Sequence, residues 1–258
     1  MKSRFIHVLL AVVVLSVFVI SMAIGKTSNG ISYSTQEIFT AHAQEPVHYE
    51  LLGREEKRIR ELNDDTVVAA INQTQITRKN FYLHKLFSDL NSAQAGEDFL
   101  DNDAVFDKIV RNTVILQDCD RYGITATKEE AFALYDDTYN NLKQLATMPM
   151  PEPTIEYDDP NGLKVTVEST QTSNPAQQAL EEFEERLDGL DMSHEEYRDQ
   201  IGVRTYQKFL LLSRHMQRIC DSNNWQGEDK QERYEQYVQD LIDAAQVTIT
   251  SDFPSESS

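Results

Sequence analysis

The 258-residue chain has little glycine (9) and little proline (7). Tight turns and phosphate-cradling loops depend on those residues, so their scarcity argues against an all-β sandwich and a Gly-rich nucleotide fold. No Gly-x-Ser-x-Gly elbow and no Gly-rich phosphate loop occurs. The six histidines are scattered. His194 opens "HEEYR", which lacks the second histidine of a zinc-protease helix. "DDPNG" at Asp158 lacks the alternating oxygen ligands of a calcium loop and reads as a turn. The carboxylates read as solvated helix faces rather than acid–base pairs. No catalytic residue, metal site, cofactor or nucleotide is therefore expected. Positive charge is also scarce: 24 Lys and Arg stand against 43 Asp and Glu, a net charge of −19. Nucleic acid and anionic membrane surfaces are poor partners for such a chain.

Only two cysteines occur, Cys119 and Cys220. Each lies near the C-terminal end of an apolar helical pattern, where core packing is the first reading. An exported protein could also oxidise them to a disulfide. A bridge closing about 100 residues would add up to about 4–5 kcal/mol in the loop-entropy model.

There is one long hydrophobic run. Residues 1–25 place Lys2 and Arg4 ahead of an apolar stretch from Phe5 to Ile24. About 20 residues span a bilayer, while signal-peptide cores run about 7–15, so both an anchor and a cleaved signal fit. Ala23 and Gly25 supply the small residues that cleavage needs. Either way the body is expected to be extracytoplasmic, membrane-anchored or secreted. Residues 26–64 read as a tether, with the charge-dense stretch 46–63 a helical stalk or flap. Residues 251–258 read as a disordered tail.

The body, residues 65–250, reads as mostly helical. Thr77 is a helix start ahead of Leu83, Leu86, Phe87 and Leu90 at helical spacing. A second helix runs from about Asp103 to Tyr122, with Gly123 as its C-terminal cap. "TKEE" at Thr127 is a capping box for a third helix ending near Ala146. Asn174-Pro175 opens a helix to about Leu187. "SHEE" at Ser193 is a second capping box. A long apolar helix spans about Val203–Cys220, and a last one, about Glu228–Ala245, shows an apolar stripe suited to docking. Between the third and fourth helices, residues 148–172 alternate around a Pro-Asn-Gly turn and predict an inserted β-hairpin. Val67–Ile71 reads as a strand with no second strand close by in sequence. Its best partner is Val247–Thr250, whose Val247 and Ile249 alternate as in a half-buried strand. The Asn72-Gln73-Thr74 glycosylation sequon falls in the turn after the first strand.

The order of "VVAAINQTQITRKNFY", "FDKIVRNTVILQDCDRYGITATKEEAF", "LDMSHEEYRDQI" and "LIDAAQVTIT" resembles the N-terminal chaperone domain of SurA- and PrsA-type extracytoplasmic folding factors, related to the trigger-factor peptide-binding domain. The resemblance spans about Asp65 to Thr250. It implies a multi-helix domain closed by a small pairing of N- and C-terminal strands, with an apolar cradle for unfolded clients. Two departures stand out. Relatives often carry a parvulin prolyl isomerase domain between the last two helices, where this chain has only "DSNNWQGED". The hairpin 148–172 is also outside the family pattern.

The function expected from the resemblance is that of a non-enzymatic holding chaperone for unfolded secreted or envelope polypeptides. A membrane-tethered scaffold for one fixed partner is the alternative, and an isomerase-family protein lacking its catalytic domain the third. Membrane contact would come through residues 5–24 if they stay uncleaved. Tyr135, Tyr139, Leu142, Met148, Met150, Ile155 and Tyr157 are the candidate client-contact residues, since Met and Tyr suit promiscuous apolar binding. Ordinary packing of the hairpin is the competing reading.

Overall fold

The computed structural model describes Ile38, residues 47–149, the strand backbones 154–158 and 164–168, and residues 174–254. The protein is mostly helical with a small antiparallel three-stranded sheet. In chain order the elements are α1 (Tyr49–Glu61), β1 (Val67–Ile71), β2 (Thr74–Thr77), α2 (Arg78–Ala95), α3 (Asn102–Arg121) and α4 (Lys128–Ala146). They continue with β3 (Thr154–Asp158), β4 (Lys164–Glu168), α5 (Pro175–Leu190), α6 (His194–Tyr197), a π-helical turn (Arg198–Gly202), α7 (Val203–Ser222), α8 (Lys230–Asp243) and β5 (Val247–Ile249).

The helix boundaries follow local chemistry. Thr77 Oγ1 accepts from the Asn80 amide, and Asp101 does the same for Ala104 at the start of α3. Thr127/Glu130 and Ser193/Glu196 form complete capping boxes. Gly123 takes φ +64°, and the Ile124 amide returns to the Cys119 carbonyl, closing α3. Between α7 and α8 the link is short. Gly227 turns at φ +87° and the Trp225 amide bonds the Cys220 carbonyl.

The strand expected to lack a near neighbour has one. β2 pairs antiparallel with β1 through a turn in which Asn72 takes φ 53°. "TQIT" is too short and polar to announce itself by alternation. β5 pairs antiparallel on the other side of β1, placing Ile249 opposite Ala69 and Val247 opposite Ile71. The sheet order is β2-β1-β5, so the closure has three strands rather than two. Asn72 ties the junction together. Its backbone N–H donates to the Gln246 carbonyl (2.7 Å), its Oδ1 accepts from the Gln246 amide (2.9 Å), and its Nδ2 donates to Gln117 Oε1 (2.6 Å).

The helix expected over 46–63 forms as residues 49–61, packed on the body rather than projecting as a stalk. α1 lies on α5 with Leu52, Glu56 and Ile59 fully buried. At the crossing, a Cβ on Gly53 would sit 2.2 Å from the Arg186 carbonyl oxygen, and one on Gly189 2.0 Å from that of Glu50. Only glycine permits this approach of two backbones. The expected tail is also partly docked. Phe253 meets Phe81 and Phe106 edge-on at 5.1 and 5.2 Å, and the Asn102 amide donates to the Pro254 carbonyl.

Among the described residues, four apolar clusters form the interior. β1, β2, the start of α2 and α3 surround Val68, Ile71, Phe81 and Phe106. α1 and α2 share Leu52, Ile59 and Leu86. α4, α5, α6 and α7 meet at Tyr135, Phe183, Leu190 and Tyr206. α3, α7 and α8 meet at Ile115, Cys119, Cys220 and Val238. The expected hairpin forms: β3 and β4 pair antiparallel, from Thr154 opposite Glu168 to Asp158 opposite Lys164. The apolar run Phe5–Ile24, residues 26–37 and 39–46 of the expected tether, and residues 255–258 lie outside the described residues.

Candidate functional site

The residues expected to contact clients separate into four groups. Tyr135 and Leu142 are buried and belong to the core, so neither is offered to a client. Tyr139 is half-buried, stacked on the His194 ring at 3.7 Å and edge-on to Phe183. Met148 is exposed, at 47%. The side chains of Met150, Ile155 and Tyr157 lie outside the described residues.

The aromatic cluster around Tyr135 is dense. Gly202, the last residue of the π-helical turn, lets the Tyr135 ring lie against the backbone. A Cβ there would fall 2.6 Å from Tyr135 Cε2. The Tyr135 hydroxyl and His194 Nε2 are buried without a hydrogen-bond partner. Burial, and then Arg198, lowers the His194 pKa.

The carboxylates read as solvated helix faces include three that are buried. Glu56 accepts bidentate bonds from Arg60 (2.8 and 2.6 Å) and from Arg186 (2.9 and 2.7 Å). Burial alone would raise its pKa, but Arg186 and Arg60 prevail and hold it below the ordinary value. The Arg186 guanidinium also lies between the rings of Phe87 and Tyr197. Asp89 pairs with Lys85 inside the body. Burial lifts its pKa to about 6 against the pull of Lys85, and Asp89 Oδ2 has no partner. Asp118 accepts from the Tyr237 hydroxyl (2.7 Å) and from Arg121 (2.7 Å). It also faces His215 Nε2 at 2.8 Å, and His215 Nδ1 meets the Tyr234 hydroxyl at 2.9 Å. The Arg186–Glu56 pair pins α1 to α5, and Asp118 with His215 and Tyr237 ties α3 to α7 and α8. Lys85, Arg60 and Arg121 are neighbours of their carboxylates on the same helix, but the burial is set by packing of helices distant in sequence, which spacing does not reveal.

Cys119 and Cys220 are free thiols, both buried in the cluster shared by α3, α7 and α8. Core packing is what they do here, and the bridge weighed from the sequence is not formed. Burial, then Asp118 and Asp120, pushes the Cys119 thiol up to about 11, which keeps it unreactive.

No group of three or more His, Cys, Asp or Glu side chains among the described residues is placed to hold a metal ion. An open depression is lined by Ile124, Thr125, Arg214, Gln217, Arg218 and Asp221. Arg214 there is committed to Glu130 (2.7 and 3.0 Å), which its hydrogen bonds and the Thr127 amide hold at a pKa of about 2.

What the sequence did not foretell is the state of β5. Ile76, Ala69 and Ile71 are buried, and cross-strand neighbours in an antiparallel sheet share a face. Ile249 and Val247 extend that apolar face, yet they are 53% and 41% exposed. The pairing expected for this strand is present; the half-burial is not. Among the described residues, the sheet's apolar face runs out into solvent at this edge.

No family model matches the chain, and neither a curated protein nor a solved structure does. Among the described residues, no helix is long and apolar enough to cross a membrane.

Proposed function

We propose that the protein is an extracytoplasmic, non-enzymatic holding chaperone for unfolded polypeptides, with a body of the SurA N-terminal type. The observation that carries this reading is the apolar edge formed by Val247 and Ile249, which no other element covers among the described residues. Exposed Met148, at the root of the inserted hairpin, adds a second apolar contact point. Two further features support the reading. The far ends of the body are sewn together by β1 and β5, as the resemblance implies. The space between α7 and α8 holds a seven-residue link, 223–229, where an isomerase domain would otherwise sit. A strongly negative surface keeps an apolar-loaded complex in solution.

The test is light scattering of two unrelated unfolded proteins with the full chain present and ATP absent. Delayed aggregation of both is expected, with no acceleration of prolyl cis/trans exchange in a peptide assay. If neither client is held and one fixed partner copurifies instead, the scaffold reading replaces this one. Prolyl exchange above background would overturn the non-enzymatic assignment.

A further inference from the structure

We infer that the outer edge of β5 is a strand-addition site for an extended polypeptide segment with alternating apolar residues and basic flanks. The inference rests on the polypeptide-binding reading above and specifies its mode and its substrate class.

The hydrogen-bond pattern shows which backbone groups are free to bind. The Thr250 amide donates to the Val68 carbonyl (3.0 Å) and the Asn72 amide to the Gln246 carbonyl (2.7 Å). In an antiparallel pair, bonded residues alternate with non-bonded ones. Gln246, Thr248 and Thr250 therefore turn their backbone groups toward β1. The N–H and C=O of Val247 and Ile249 point away from it, and β5 has no strand on that side among the described residues. Natural edges are usually guarded by lysine, proline or an inward charge. "QVTIT", residues 246–250, has none of these. The outer edge therefore presents two amides, two carbonyls and two apolar side chains in one register.

An incoming antiparallel strand would place its residues opposite Val247 and Ile249 with side chains on the same apolar face. Those residues must be apolar, and their own N–H and C=O groups would make the bonds. The alternate residues would face away and are free to be polar. This is recognition by β-augmentation, in which the main chain supplies affinity and alternate side chains supply selectivity.

Charge selects the occupant. After Arg233 the sequence contains no Lys or Arg. The last turns of α8, leading into β5, carry exposed Asp240 and Asp243. Their hydrogen-bond partners are Gln236 and Gln239, not cations. Helix C-termini already carry partial negative charge, which these carboxylates reinforce. Asp252 follows β5, with Arg78 3.8 Å away. A second copy of the chain, at −19, would bring these same carboxylates together, whereas a segment flanked by Lys or Arg would meet them favourably.

The probe is a labelled peptide, Val-Thr-Val-Thr-Val with two lysines at each end, titrated against the full chain. N-methylation of the valine amides should weaken binding about tenfold or more, since two or more hydrogen bonds are lost. Methylation of the threonine amides, which face away, should leave the affinity within about twofold. Replacing the lysines with glutamates should cost about tenfold at low salt, and the gap should close near 1 M salt. The Ile249→Pro variant removes an amide that β1 does not use. It should lose the peptide while keeping its helical content and melting temperature, which a circular dichroism melt verifies.

Equal binding of the two methylated peptides, or no binding by the wild-type chain, would overturn the inference. So would a dimer by sedimentation that Ile249→Pro converts to monomer, because the edge would then belong to a second copy. If Ile249→Pro still holds unfolded clients as well as wild type, strand addition is wrong and the chaperone reading survives. If the peptide binds as described but no client is held, the chaperone reading is wrong and the strand-addition site stands.

Discussion

The α1–α5 crossing and the β5 edge are opposite solutions to the same problem. At the crossing, Gly53 and Gly189 let two helices touch backbone to backbone. Beside them Glu56 is fully buried, with both carboxylate oxygens occupied by arginines. At the edge, two β-branched apolar residues are exposed, and among the described residues the backbone groups of Val247 and Ile249 have no strand to meet. A chain able to seal a charged carboxylate between two arginines has the means to cover Val247 and Ile249. The contrast separates a surface this fold closes on itself from one that stays open among the described residues.

That contrast can be broken most severely at Glu56. Glu56→Ala would leave Arg186 buried without its partner, a change expected to cost about 3–5 kcal/mol. A urea melt measures it. The carboxyl is held below its ordinary value of 4.5, so its stabilisation is complete above that pH. It is lost as pH falls through the depressed folded-state value. Wild type should therefore weaken in acid more steeply than Glu56→Gln.

Gly189→Ala comes next. The added methyl meets the backbone of α1, which cannot swing aside as a side chain would. Overpacking of this kind is expected to cost about 3 kcal/mol. A similar melting temperature in variant and wild type would mean that the crossing is looser than described.

Phe253→Ala should cost about 2 kcal/mol, from a half-buried ring and two edge-on aromatic contacts. The sequence reads 251–258 as a disordered tail and Val247 and Ile249 as a half-buried strand, whereas the structure docks Phe253 and leaves those two side chains exposed. Val247→Ser and Ile249→Ser should each change stability by only about 0.5 kcal/mol, as exposed positions do. Together they should nonetheless abolish the delay of client aggregation. A large stability loss from either serine would erase the distinction between the two regions.

What could be read in advance was local. Thr77, Thr127, Asn174 and Ser193 start helices by hydrogen bonds that close within three residues, so their spacing alone is diagnostic. The pairing of β5 with β1 was also legible, because few other segments alternate. The rest depended on partners far away in sequence. Alternation puts Val247 and Ile249 on one face but does not say whether anything lies over that face. The helical pattern puts Tyr135 and Tyr139 on neighbouring positions of α4, and only the packing of α5 and α7 decides that Tyr135 is interior. The burial of Glu56, Asp89 and Asp118 was invisible for the same reason, and β2 was missed because a four-residue strand carries too little pattern.

The sheet is also a clock. Its hairpin, β1–β2, is complete once residue 77 has emerged, whereas Thr250, which bonds the Val68 carbonyl, lies 182 positions after it. At about 5–20 residues per second of synthesis, the hairpin precedes its third strand by about 9–35 s. During that interval Ile71 and Ala69 lack their last neighbours, whether the chain is leaving a ribosome or an export channel. Contacts so distant in sequence form late and repay their loop-closure entropy last. Substitutions in β5 should therefore hasten unfolding more than they slow folding. Completion of the sheet therefore waits until the helices between β2 and β5 have been delivered, and the outer edge of β5 could receive another strand only from then on.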